Sequence, residues 1–126
     1  MTARGMVIDV PGLRTVCEAN RSRHEHRFTK AKRVKEQRVV VTLALQARAV
    51  RCPLQPPLHV VLVRQSSGRL DPFDNLPSAL KAVADAVAAW AGVDDRDDRV
   101  LRFEGRQERT KRGVYGVRIE VRERRP

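Results

Sequence analysis

The sequence predicts an α+β fold: one small domain covering residues 1–126, with elements in the order β-α-β-α-β-β, a mixed sheet and two helices packed against it. Three observations carry that prediction. Two segments repeat apolar residues at helical spacing, four short runs are apolar or alternate apolar with polar, and turns rich in Pro or Gly separate them. The length of 126 residues suits a single hydrophobic core, and neither an internal repeat nor a low-complexity tract interrupts it.

The first element is a short strand at residues 6–10, stopped by Pro11 and Gly12. Residues 21–38 then carry eight Lys or Arg against Glu25 and Glu36, forming a basic arm. Over residues 29–51 the apolar positions Val40, Leu43, Ala44, Ala47 and Val50 recur at helical spacing, which predicts a helix with polar, basic first turns. The β-branched run Val39-Val40-Val41-Thr42 also suits a strand. Three prolines within residues 52–57 end that element, and residues 58–64 read as a strand buried on both faces. Ser66-Ser67-Gly68 turns the chain toward a second helix at residues 76–91. Asp74 or Asn75 can cap it, Pro77 sits in its first turn, and Leu76, Leu80, Val83, Ala84, Val87 and Ala91 form its apolar face. Gly92 stands where helices commonly end. Two strands follow at residues 100–107 and 114–122, joined by a turn through residues 110–113. Val117, Ile119 and Val121 alternate with Arg118, Glu120 and Arg122, the pattern of a sheet with one wet face.

The charge balance narrows the function. Lys and Arg number 26 against 15 Asp and Glu, for a formal net charge of +11. Such a field selects polyanions, nucleic acid first, because each cation that meets a phosphate releases condensed counterions. No membrane partner is expected, since the basic residues lack a long apolar anchor, and no small-molecule substrate is expected either. With no signal peptide and only Cys17 and Cys52, a cytoplasmic protein with free thiols is expected, and no zinc pattern is present. Five aromatic residues make the core mostly aliphatic and thin for this charge load, so burial in a homodimer is expected to add apolar area.

Against that cationic background, Asp71, Asp74, Asp85, Asp94, Asp95, Asp97 and Asp98 crowd into one stretch. One reading is local: Asp74 and Asn75 cap a helix, and residues 94–98 form a solvated turn. The other is chemical: a few carboxylates on a basic surface hold a hard divalent cation while phosphates bind the rim.

The order of motifs favours the chemical reading. Arg69-Leu70-Asp71-Pro72-Phe73-Asp74-Asn75, Ala79-Leu80-Lys81, Asp85-Ala86-Val87 and Gly92-Val93-Asp94-Asp95 resemble the RusA family of Holliday junction resolvases, whose pattern is D-x-D-N, a downstream Lys, D-A-L and a G-x-x-D-D turn. More loosely, Val10-Pro11-Gly12, Asn20 and His24 resemble that family's opening. The resemblance implies a homodimeric endodeoxyribonuclease of phage or prophage type that cuts four-way DNA junctions in recombination and repair. Mg²⁺ is the implied cofactor, with Mn²⁺ as substitute. It further implies Asp71, Asp74, Asp95 and Lys81 as catalytic residues, with Asp71, Asp74, Asp94 and Asp95 at the metal and Asp95 preferred over Asp94 as the third acid.

Two departures stand out. Pro72 and Phe73 separate the first two acids where the family has one residue, and Lys81 follows Asp74 by seven residues where the family commonly has four, a place Ser78 takes here. Asp74 and Asp95 also sit at opposite ends of a helix about 24 Å long, at about 1.5 Å per residue. They meet only if the chain after Gly92 folds back, or if two copies of the helix pair across a two-fold axis and share acids. Branched DNA is the expected partner, held through phosphates by Arg21, Arg23, Arg27, Lys30, Lys32, Arg33, Arg69, Arg109, Lys111 and Arg112. His24 and His26 lack a third metal ligand nearby and read as exposed or phosphate-facing, while Trp90 reads as core or dimer interface. Two alternatives stay open: a catalytically inactive DNA-binding or regulatory protein on the same fold, and a nuclease of other branched DNA.

Overall fold

The computed structural model describes residues 4–16, 27–73 and 75–124. Cys17, Asn20, Arg21, Arg23, His24, His26 and Asp74, all invoked above, lie outside the described residues, as does the side chain of Arg27. The elements are β1 (Gly5–Pro11), α1 (Arg27–Arg48), β2 (Leu58–Ser66), α2 (Asn75–Ala91), β3 (Leu101–Arg109) and β4 (Gly116–Glu123). Type and order match the sequence expectation, and boundaries move by no more than three residues.

The four strands form one mixed sheet in the order β1-β4-β2-β3. β4 runs antiparallel to both β1 and β2, whereas β2 and β3 are parallel and joined through α2. β3 and β4 are consecutive in sequence, yet β2 lies between them. The turn after β3 therefore carries the chain past the end of β2, where the Thr110 N–H donates to the Ser66 carbonyl at 3.0 Å.

Alternation sorts the side chains by face. Ile8, Val10, Leu58, Val60, Leu62, Leu101, Val117, Ile119 and Val121 are buried in the core. A Cβ placed on Gly105 of this face would lie 3.4 Å from both Leu76 and Leu80, so α2 sits directly on the sheet. The opposite face carries a ladder of ion pairs: Arg118 with Glu108 at 3.0 Å and Glu120 at 3.2 Å, and Arg106 with Glu104 at 2.9 Å. Each such exposed pair contributes less than about 1 kcal/mol. Their long side chains nevertheless flank Val61 and Val63, which are buried on this outer face, so the central strand is apolar on both sides as its sequence requires.

The apolar face expected of the first helix is corrected by the structure. Val40, Leu43, Ala47 and, just beyond the helix, Val50 face solvent, and only Ala44 of that set is half-buried. The buried side is instead Gln37, Val41 and Leu45. Two apolar stripes run along the same helix, and periodicity cannot say which one meets the sheet. The result is an apolar strip on the surface, with Leu43 61% and Val50 75% exposed.

The helices meet at their C-terminal ends, where Trp90 is buried and donates its indole N–H to the Ala49 carbonyl at 2.8 Å. Trp90 is thus a core residue, one of the two places expected for it.

Candidate functional site

The segment entering α2 is held to the sheet at two points. Arg64, on β2, is buried and has no carboxylate partner among the described residues. Its guanidinium donates to Thr15 Oγ1 at 3.0 Å, to the Thr15 carbonyl at 3.3 Å and to the Gly68 carbonyl at 2.9 Å. Burial pulls its pKa below the ordinary arginine value, but a guanidinium stays charged at neutral pH. Two residues on, the Gln107 amide of β3 clamps Leu70 from both sides, accepting from the Leu70 N–H at 2.7 Å and donating to the Leu70 carbonyl at 2.8 Å. Arg69 and Asp71 flank that clamp.

Asp71 is exposed and also shapes the turn. Its Oδ1 accepts the Phe73 N–H at 3.0 Å, and its carbonyl accepts the Leu76 N–H at 2.8 Å, closing the first turn of α2. Asp71 thus takes a local role at the start of α2 that the sequence reading had given to Asp74 or Asn75.

At the other end of α2 the chain does fold back. Gly92 adopts a left-handed φ of 70°, the Gly92 N–H donates to the Ala89 carbonyl and the Val93 N–H to the Ala88 carbonyl, both at 3.2 Å. This pair of closing bonds is the usual glycine ending of a helix. It reverses the chain so that Asp95 returns alongside α2, and Lys81 Nζ lies 3.9 Å from Asp95 Oδ2 and 3.1 Å from Asp85 Oδ1. Arg38 of α1 donates to the other Asp85 oxygen at 2.6 Å. The chain after Gly92 thus folds back far enough to bring Asp95 to Lys81, while Asp74, the acid it was expected to meet, lies outside the described residues.

The electrostatics agree with the geometry. Burial alone raises the Asp85 pKa, but hydrogen bonds from Arg38 and Lys81, with the Lys81 charge and a contact to Asp95, outweigh it and hold the carboxyl below its ordinary value. Asp94 and Asp97 behave differently. Each accepts the backbone N–H and the guanidinium of the arginine two residues ahead, Arg96 and Arg99, and each has its pKa lowered by those bonds. Asp94 thus belongs to a self-neutralised turn, and Asp95 is the acid that approaches Lys81.

The expected phosphate contacts divide by element. Lys30, Lys32 and Arg33 lie in the first half of α1, and Lys111 and Arg112 are exposed in the β3–β4 turn. Arg69 and Arg109 line a recess of about 680 Å³ at the carboxyl ends of the parallel strands β2 and β3, which Arg106 also lines. Gln107 and Arg64 were not anticipated from sequence, although Arg64, a charged residue on the core-facing side of an otherwise apolar strand, is a readable signal for a buried clamp.

Among the described residues no three His, Cys, Asp or Glu side chains converge on a common point suited to a metal. No helix is long and apolar enough to cross a membrane. Neither a family model nor a curated protein matches the chain.

Proposed function

We propose that the protein is a Mg²⁺-dependent, structure-specific endodeoxyribonuclease acting on branched DNA, four-way junctions foremost. The observation that carries this reading is the return of Asp95 to Lys81 and Asp85 on the flank of α2, in a chain of net charge +11. A hard divalent cation is commonly held by one or two carboxylates, with substrate phosphate oxygens and water completing its shell. Asp85 and Asp95 supply such a pair, and Asp71 and Asp74 belong to the segment that leads into the same helix. The cation, when bound, supplies a water of lowered pKa and charge opposite the phosphoryl oxygen. Asp95 and Asp85 would hold it, as Mn²⁺ would be held in its place. Lys81, 71% exposed at its side chain, keeps Asp95 and Asp85 oriented and presents positive charge toward an approaching phosphate.

A homodimer fits the same reading, with a second copy of α1 covering its exposed strip. Val40, Leu43, Ala47 and Val50 follow the 3-4-3 spacing of a helix-pairing seam. Antiparallel pairing centred between Leu43 and Ala44 carries Glu36, the one acid in α1, toward the basic C-terminal end of the second copy's helix, marked by Arg48 and, just past it, Arg51, whereas parallel pairing would stack Lys32 and Lys35 against themselves. Charge complementarity thus selects the antiparallel arrangement.

A second reading, a nucleic-acid-binding protein without catalysis, is favoured by one observation: the described acids do not converge as a three-ligand group. Labelled four-way, flap and linear DNA incubated with Mg²⁺ decides between the two. The nuclease reading expects cutting of branched DNA that EDTA abolishes and that Asp95→Asn lowers by at least about a hundredfold, the scale of losing a catalytic interaction of a few kcal/mol. Shifted but intact junctions would establish the binder.

A further inference from the structure

We propose that the recess at the carboxyl ends of β2 and β3 is a subsite for an unpaired nucleic-acid strand, with Phe73 as the platform on which one base stacks. The inference deepens the nucleic-acid reading above and rests on it. Phe73 is 88% exposed, the most exposed large apolar side chain in the described structure. It is also held in place: its N–H is bound to Asp71 Oδ1, and the chain three residues earlier is clamped by Gln107 on both sides of Leu70. Water gives an aromatic ring no reason to stand fully exposed on an anchored turn, whereas a base face does.

The recess beside it has the matching charge. Pro72, which precedes Phe73, lines it, together with Arg69, Arg106 and Arg109. The nearby glutamates are already engaged: Glu104 pairs with Arg106 at 2.9 Å and Glu108 with Arg118 at 3.0 Å. Among the described residues Arg69 and Arg109 have no carboxylate partner, so the lining carries two guanidinium charges that no described carboxylate neutralises. A recess of about 680 Å³ admits one strand and not a duplex. A cationic channel for the phosphates beside an aromatic platform for the base is the combination by which single strands are bound without sequence preference. The ligand class is therefore a phosphodiester strand with an unpaired base, as exists where a branched DNA opens.

Fluorescence anisotropy of a labelled oligo-dT strand, in EDTA so that no chemistry intervenes, tests this. Phe73→Ala is expected to weaken binding by about 5- to 100-fold, the range for loss of one base stack, while Phe73→Trp retains it. The melting temperature of Phe73→Ala should match the wild type, since the ring is exposed, which separates a lost platform from a lost fold. Arg69→Ala/Arg109→Ala should weaken binding further and flatten its salt dependence. Equal affinity of wild type and Phe73→Ala for the strand overturns the inference, even in a protein that cuts junctions. Phe73-dependent strand binding by a protein that cuts no junction supports the subsite and removes the nuclease reading alone. Wild type that binds no strand overturns the subsite.

Discussion

Lys81 stands between two carboxylates, and which of its neighbours depends on it most is a question of protonation. Asp85 is pulled below its ordinary pKa, with burial opposing and the bonds from Arg38 and Lys81 prevailing. A carboxyl whose folded pKa is depressed stabilises the fold fully above its unfolded pKa of about 3.9, and that contribution is lost as pH falls through the lower folded value. Because Arg38 and Lys81 are both more than half exposed, solvent screening limits the effect. Asp85→Asn should destabilise the protein by about 1 kcal/mol or less at pH 7, with the gap to wild type closing below about pH 4, as read from urea unfolding at both pH values. At this scale the sequence was partly legible. Asp94 and Asp95 could be named together from the resemblance, with Asp95 preferred, but the tie of Asp94 to Arg96 could not be read, because an Asp-x-Arg turn and a ligand pair look identical as a string of letters. Gln107 escaped notice for the opposite reason: its partner is the backbone of Leu70, 37 residues away, and backbone partners leave no trace in side-chain patterns.

At the scale of elements, Gly92 decides where Asp95 goes. Its φ of 70° is one that side-chain-bearing residues adopt with strain, and a Cβ there would meet no atom within 4 Å. The cost of Gly92→Ala is accordingly conformational, about 1 kcal/mol, with no clash to add. Thermal unfolding should show that loss. Junction cutting should fall by more than stability does, because the reversed segment carries Asp95. Helix and strand types were readable from periodicity and from Pro and Gly punctuation, which explains why every element appears in its expected order. The orientation of α1 was not. Its sequence holds both a Gln37-Val41-Leu45 stripe and a Val40-Leu43-Ala47 stripe, and the side that packs is fixed by the shape of the sheet and by Arg38 reaching Asp85 on α2, neither of which is a property of the helix alone.

For the whole molecule, the exposed strip on α1 makes a claim about assembly. Sedimentation equilibrium should give twice the 14.3 kDa chain mass for the wild type and a single chain for Leu43→Glu, with unchanged circular dichroism because Leu43 is exposed in the monomer. A monomeric wild type would dispose of the antiparallel pairing. The sheet order illustrates what only three dimensions reveal: two strands adjacent in sequence are parted by β2, so the site is assembled from a loop at one end of the central strand and the far half of an edge strand. Trp90 has a practical corollary. It is the sole indole in the chain, and its ring nitrogen bridges the two helices through the Ala49 carbonyl. Its emission will consequently redden when α1 undocks from α2, independently of whether the strands have melted, so the molecule carries an intrinsic optical gauge that distinguishes peeling of a helix from global collapse of the fold.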